Sequence, residues 1–239
     1  MKLIFKESSV DYKQYEFGYS IYAILDSLEE IESTFNKGFL PFSNDINSSL
    51  EKYYLARSLR IKTSIYERIS ENNRVIRKVD EKIDISYKVI DKLIFNHSDE
   101  FKTFCLNYSR VRFSNEPLSR ERLNVILSRL NYNKIFIFYS KKIPIGYVLT
   151  YTNENMIHFW FSFYDTKFMK DFSFGKYIME QVIFYAKMHK INFVYLGTCY
   201  GKKALYKVRD FKGIEFYDGN EWNDNVKVLK KLCKKDNIN

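Results

Sequence analysis

From Lys134 onward the chain alternates apolar runs of strand length with short polar breaks: Ile135 to Ser140, then Lys141 to Pro144, Ile145 to Thr152, the break Asn153-Glu154-Asn155, and Met156 to Tyr164. Such runs, bounded by turn residues, predict three strands in antiparallel succession. After Gly175 the period changes: Ile178, Met179, Val182, Ile183 and Ala186 recur at helical spacing, and Ile191 to Leu196 then reads as a short buried strand ending at Gly197. The predicted order is β-β-β-α-β.

Upstream the pattern is mixed. Ser70 ahead of Glu71, followed by Ile76, Val79 and Ile83, predicts a helix opened by an N-cap, and Ser98-Asp99-Glu100 and Ser119 to Glu121 open two more. The middle of the chain is therefore expected to be helical. Before Lys78 the pattern predicts a helical stretch around Ile21 to Phe35, a turn at Lys37-Gly38 and a strand through Tyr53 to Ile61. No Gly/Ser/Pro-rich linker and no repeat divides the chain. The expected organisation is an N-terminal lobe over residues 1–80, then a helical connector and C-terminal domain over 81–239.

Composition narrows the class. With 46% hydrophobic residues and only 8 Gly and 3 Pro, the chain can bury a substantial core and is not disordered. The 20 Tyr and 21 Phe supply rings for packing or for stacking on a base. A net charge of +10 favours a polyanionic partner, or reflects only a codon bias toward Lys. The run Lys227, Lys230, Lys231, Lys234 and Lys235 reads as a solvated helix end.

Cys105, Cys199 and Cys233 lie far apart with no CxxC spacing, which predicts reduced thiols and neither a disulfide framework nor a zinc site. Met1 to Lys6 is too short for a signal peptide and no apolar run spans a bilayer, so a cytoplasmic protein without a membrane partner is expected. His97, His158 and His189 share no ligand spacing and read as structural. Trp160 and Trp222 read as packing residues, and Phe159 or Phe161 either lines a pocket or packs in the core.

The chemistry-bearing stretches are Phe163-Tyr164-Asp165, Asp171-Phe172-Ser173-Phe174-Gly175-Lys176-Tyr177, Tyr195-Leu196-Gly197 and Lys203-Ala204-Leu205-Tyr206-Lys207. An antiparallel meander followed by strand-helix-strand resembles the core of an acetyltransferase-like (GNAT) domain. The four stretches resemble, in order and spacing, the C-terminal signature of aminoacyl-tRNA-protein transferases: a Tyr-Asp-Pro turn, Ser-Leu-Gly at the start of a helix, a Tyr-Leu-Gly-Tyr strand end and a Lys-Met-x-Tyr-Lys motif. Gly38-Phe39, Ala56 to Ile61 and Ser70 to Lys78 resemble that family's N-terminal lobe, so the likeness runs from about Tyr15 to Trp222. Thr166, Thr198, Ala204 and Leu205 depart from the pattern, and Ser43 to Ala56 lacks the family's cysteines, so no metal and no other cofactor is expected.

The resemblance implies an α+β GNAT-like fold, with a mixed, largely antiparallel sheet flanked by helices and a smaller N-terminal lobe. It implies transfer of an amino acid from aminoacyl-tRNA to the N-terminal amine of a protein or peptide. Asp165 would accept from or deprotonate the incoming amine with Tyr164 fixing geometry, or is a turn cap. Ser173, Gly175, Tyr195, Gly197, Lys203, Tyr206 and Lys207 would hold the donor, with Ser173 as N-cap and Lys203 and Lys207 on a solvated basic turn as the plainer readings. Arg57, Arg60, Arg74 and Arg77 would bind RNA phosphate or an acidic acceptor, or are surface arginines. Two alternatives stay open: an acyl-CoA-dependent N-acyltransferase of the same fold, for which Lys170 to Tyr177 shows no glycine-rich pyrophosphate loop, and a tRNA-binding module with a decayed site.

Overall fold

The computed structural model describes residues 1–11, 16–45 and 50–236. Strands β1 (Lys2–Asp11), β2 (Glu16–Ile24), β3 (Phe39–Pro41) and β4 (Lys52–Leu55) form a small antiparallel sheet in the order β1-β2-β4-β3, covered by helix α1 (Ile31–Asn36). A second sheet holds β5 (Ser58–Lys62), β6 (Ile85–Asp91), β7 (Lys134–Ser140), β8 (Ile143–Thr152), β9 (Met156–Tyr164), β10 (Phe193–Thr198), β11 (Ile214–Tyr217) and β12 (Trp222–Asn223). Its order is β12-β11-β5-β10-β9-β8-β7-β6, antiparallel throughout except for the parallel pair β9 and β10. The remaining helices are α2 (Ser70–Asp80), α3 (Asp99–Arg112), α4 (Arg120–Ser128), α5 (Met169–Phe172), α6 (Phe174–Met188), α7 (Leu205–Asp210) and α8 (Val226–Lys235). The protein is α+β, a mixed, largely antiparallel sheet flanked by helices.

The pleat explains how the helices divide over the large sheet. Tyr147 and its register partner Ile137 share one face, where Tyr147 meets Phe101 and Phe104 of α3. Phe136 and Phe138 point to the other face, onto Tyr185 and Phe174 of α6. Alternation along β7 therefore assigns α3 and α6 to opposite faces. The second core joins the two sheets: Phe35, Phe39, Leu40 and Tyr53 pack with Met156 and Tyr195, and the Phe35 ring lies 4.7 Å from that of His158.

Several elements differ from the sequence expectation. Ile21 to Phe35 is not one helix: β2 runs to Ile24, a single 3-10 turn spans Leu28–Glu30, and only then does α1 begin. Tyr53 to Ile61 is two strands in two different sheets, parted at Ala56-Arg57, so β5 from the first lobe is built into the large sheet between β10 and β11. The middle contains an edge strand, β6, whose exposed charges broke the apolar pattern that would have revealed it. Ser98 and Ser119 cap α3 and α4, accepting from Phe101 N and Arg122 N. Ser70 instead sits inside α2, where Asn72 Oδ1 reaches back to Ile69 N at 3.0 Å.

Two buried polar knots hold this frame. Glu180 on α6 is 0% exposed; Tyr66 and Asn72 donate to its carboxylate, Arg68 Nε lies 3.7 Å away, and burial holds its acid strength below that of an ordinary carboxyl. Arg60 on β5 has its guanidinium 3.9 Å from the Phe193 ring and 4.0 Å from the Trp222 ring, donates to Glu215 at 2.7 Å, and reaches Tyr195. Glu180→Ala leaves Arg68 and Asn72 without their partner, and should lower stability by roughly 3 kcal/mol, seen as a melting-temperature drop of roughly 10 °C. Arg60→Lys keeps the charge but loses the planar stacking, and should lower the melting temperature, measured by circular dichroism on heating.

Candidate functional site

Register makes an opening between β9 and β10. The two strands pair only through Phe193↔Met156, Val194↔Ile157 and Tyr195↔His158. Beyond that point β10 stays with β5, where Thr198 opposes Ser58, while β9 stays with β8. A bulge at Trp160, which no residue of β8 opposes between the Phe159 and Phe161 pairs, adds local twist to β9. Two neighbouring strands that part leave unpaired backbone groups facing a gap, and the gap is the cleft.

The cleft has a volume of about 520 Å³. Phe159 to Phe163 form one wall and Leu196, Gly197 and Thr198 the other. Leu40, Pro41 and Tyr54 of the small sheet close one end, while Tyr108 and Arg112 of α3, Met179 of α6, and Tyr206 and Lys207 of α7 line the rest. A smaller chamber of about 210 Å³ continues it toward the start of α6, lined by Tyr164, Ser173, Gly175 and Lys176 and sharing Tyr108, Arg112, Ser162, Met179 and Tyr206. Arg112, Arg122 and Lys207 supply cations to the cleft wall against the single lining carboxylate of Glu116, while Lys176 in the chamber is countered by Asp210 and Glu71 behind it. The interior favours an anionic or strongly polarised ligand.

Lys207 is the polar centre. Its Nζ donates to the carbonyls of Leu196 at 2.7 Å and Thr198 at 3.1 Å, which flank Gly197 at the parted end of β10. Burial pulls the ammonium down to about 8, from an ordinary lysine value of 10.5. An ammonium has three N–H donors, so one remains after the two carbonyls are served. Gly197 adopts φ +79, the left-handed region that glycine enters without strain, and a side chain there would stand 3.9 Å from Lys207 Nζ.

His158, at the last β9–β10 pair, is 2% exposed, lines the cleft, and its Nδ1 has no hydrogen-bond partner. Burial, reinforced by the charge of Lys207, pushes its pKa to about 3, so the imidazole is neutral at physiological pH. The Lys176 side chain is also almost enclosed at 9% exposure, with Asp210 at 3.4 Å and Glu71 at 3.8 Å but no acceptor within hydrogen-bond geometry of its Nζ.

The structure brings Gly197, Tyr206 and Lys207 into the cleft, and Tyr164, Ser173 and Gly175 into its chamber. Ser173 sits in the left-handed region at φ 50 and makes no side-chain cap. Gly175 is needed for packing: a Cβ there would lie 2.9 Å from the Tyr164 hydroxyl. Asp165 is outside the lining; its Oδ1 accepts from Lys167 N at 3.1 Å and its Oδ2 pairs with Lys167 Nζ at 2.8 Å. Tyr195 is buried, donating to Asn36 Oδ1 at 2.8 Å, and Lys203 is exposed outside the cleft. Arg57 is paired with Asp236 at 2.8 Å and Arg74 with Glu71 at 2.7 Å; Arg60 is stacked as above, and Arg77 is exposed beside Glu81 at 4.0 Å. The four arginines do not form one surface with the cleft lining.

His158, Arg112 and Tyr108 line the site although no sequence signal nominated them, and Lys176 lies in a stretch singled out above without being nominated itself. For Arg112 the available hint is the basic end of α3, Arg110-Val111-Arg112. Among the described residues no group of His, Cys, Asp or Glu is arranged to hold a metal, and no helix is long and apolar enough to cross a membrane.

No curated protein sequence matches the chain. Similar solved structures include the C-terminal domain (DUF2156) of a putative lysylphosphatidylglycerol synthetase from Agrobacterium fabrum, at 6% identity and TM-score 0.47, covering 74% of this chain and 54% of that one. L-PGS from Bacillus licheniformis matches at 10% identity and TM-score 0.44, covering 74% of this chain and 51% of that one. FemX matches at 10% identity and TM-score 0.49, covering 93% and 76% respectively. The chain spans about half the length of the first two. The profile of the acetyltransferase (GNAT) domain matches residues 76–212, more than half of the chain, from the end of α2 past α7 and across the whole cleft-forming part of the sheet. The chain belongs to the acetyltransferase (GNAT) domain family.

Proposed function

We propose that this GNAT-type acyltransferase takes its acyl group from an aminoacyl-tRNA and moves it to the N-terminal amine of a protein or peptide. The observation that carries the reading is Lys207, fixed by two carbonyls at the point where β9 and β10 part, with one N–H left for the ligand in a cleft lined by cations. An aminoacyl ester is already activated, so the protein must align ester and amine and stabilise the oxyanion that forms. The amine nitrogen adds to the ester carbonyl carbon, the carbon–oxygen bond to the ribose breaks, and the proton lost by nitrogen ends on the ribose oxygen. Lys207 donates its third N–H to the oxyanion. No covalent acyl-enzyme is required.

The donor is the finer question, because acyl-CoA serves many enzymes of this fold. A pyrophosphate needs a glycine-lined cradle at the start of the helix after β9. Here Phe174 is fully buried in the first turn of α6, and the Tyr164 ring covers Gly175. These residues do not fit a pyrophosphate cradle, which supports the tRNA donor suggested by the motif likeness. In this reading Asp165 holds the turn that sets Tyr164 and the start of α6, and Tyr206 offers a ring to the terminal adenine.

Incubating the protein with a pool of labelled aminoacyl-tRNAs and with peptides differing in their first residue tests the reading. Label should enter peptide, whereas product from acetyl-CoA alone would sink it. Lys207→Ala should lower kcat about 100-fold, the usual loss for an oxyanion donor. The wild-type rate should fall as pH rises through about 8, where Lys207 loses its proton. Lys207→Arg should retain part of the activity and move that alkaline limb upward, which a purely structural lysine would not do.

A further inference from the structure

Most cations whose side chains matter to the fold are paired: Arg57 with Asp236, Arg60 with Glu215, Arg74 with Glu71, Lys52 with Asp45. Exposed lysines outside any ion pair occur singly elsewhere, at Lys82 and Lys88 for example, but one group is concentrated on a single helix. On α8, Lys227, Lys230, Lys231, Lys234 and Lys235 are all exposed, and none has an ion-pair partner among the described residues. Lys202 and Lys203, exposed in the single 3-10 turn ahead of α7, are likewise unpaired there, and that turn packs against α8. Lys234 and Lys235 complement the carbonyl end of their helix, but the other five have no such structural use.

The stripe is fixed close behind the cleft wall. Cys233 on α8 touches Cys199, Sγ to Sγ at 3.6 Å, and Cys199 directly follows the cleft residue Thr198. Gly201 N donates to Asp236 Oδ2 at 2.7 Å, and Arg57 donates both to Asp236 and to the Cys199 carbonyl. Asp236, the carboxylate that follows the stripe, is therefore already neutralised by Arg57. No acidic residue interrupts α8 between Val226 and Lys235.

We infer that the α8 stripe, with Lys202 and Lys203, is a docking surface for the phosphate backbone of an RNA whose end reaches the cleft. The inference rests on the proposed aminoacyl-tRNA reading for its occupant. Closely spaced lysines on one face suit a polyphosphate backbone, where each contact releases condensed counterions. An anionic membrane is the less fitting occupant, because most of the apolar side of α8 is spent on the protein: Leu229 and Cys233 are fully buried, and Val228 is the one apolar side chain of the helix that is exposed, too little to insert. The surface would hold the body of the RNA while Tyr206, Lys207 and Arg112 act on its end.

The test compares two variants of equal charge loss. One carries Lys227→Gln, Lys230→Gln, Lys231→Gln and Lys234→Gln; the other carries Lys82→Gln, Lys88→Gln, Lys141→Gln and Lys142→Gln, exposed positions around β6 and the β7–β8 turn at the opposite edge of the sheet. Binding of uncharged tRNA is measured by fluorescence anisotropy over a salt series, and acyl transfer is measured with an amino acid esterified to a trinucleotide. Each phosphate contact adds about 0.7–0.9 to the slope of log affinity against log salt, so the stripe variant should lose roughly 3 from that slope and more than 10-fold in affinity at low salt. The control variant should keep its slope, and the stripe variant should use the trinucleotide donor at the wild-type rate. Equal slopes in both variants overturn the surface while leaving the cleft reading intact. Stripe-dependent tRNA binding without any aminoacyl transfer leaves the surface standing and removes the cleft reading. Stripe-dependent binding to phosphatidylglycerol vesicles with no binding of tRNA overturns the RNA assignment.

Discussion

Everything at the site follows from the place where β9 and β10 stop pairing. A parallel pair that continued past Tyr195↔His158 would be sealed by its own hydrogen bonds, and the face of the sheet would offer no opening. Because β10 is drawn to β5 while β9 remains with β8, the strands separate and expose backbone at the sheet centre. Lys207 answers part of that exposure by donating to Leu196 and Thr198 carbonyls. Binding the strand end and offering a donor to a ligand are thus one arrangement, and burying the ammonium is the cost that lowers its pKa.

The surroundings keep the parting in place. Glu180 and its partners tie α6 to the segment before α2, and the stacked Arg60 ties β5 to β10 and β12. Helix α1, which covers the small sheet, reaches the same point from the other side, where its Phe35 lies against both His158 and Tyr195. A site made by separating two strands needs such buttresses, since the lost ladder bonds no longer hold the walls.

Much of this was legible in the sequence, for identifiable reasons. The strands β7 to β9 and helix α6 were clear because both faces of the sheet are covered and the apolar runs are long; α3 and α4 were clear because serine caps mark their starts. The edge strand β6 was hidden by its charges, and the break at Ala56-Arg57 was hidden because no Gly, Pro or Asn marks it and only tertiary pairing separates the flanking strands. At the site, the motif residues Gly197, Tyr206 and Lys207 line one cleft, and Asp165 lies outside it with its carboxylate on Lys167. His158 and Arg112 come from elements whose neighbours no local pattern specifies, so their arrival at the cleft is a property of the sheet order.

In the proposed reading the parted strands hold an aminoacyl ester with Lys207 on its carbonyl oxygen. A crystal structure with an amide-linked, non-hydrolysable aminoacyl-adenosine addresses it most directly. The ligand is expected between β9 and β10, with the amide oxygen within about 3 Å of Lys207 Nζ, the length of an ordinary hydrogen bond. A ligand bound elsewhere, or seated in the cleft with its carbonyl turned away from Lys207, would contradict it.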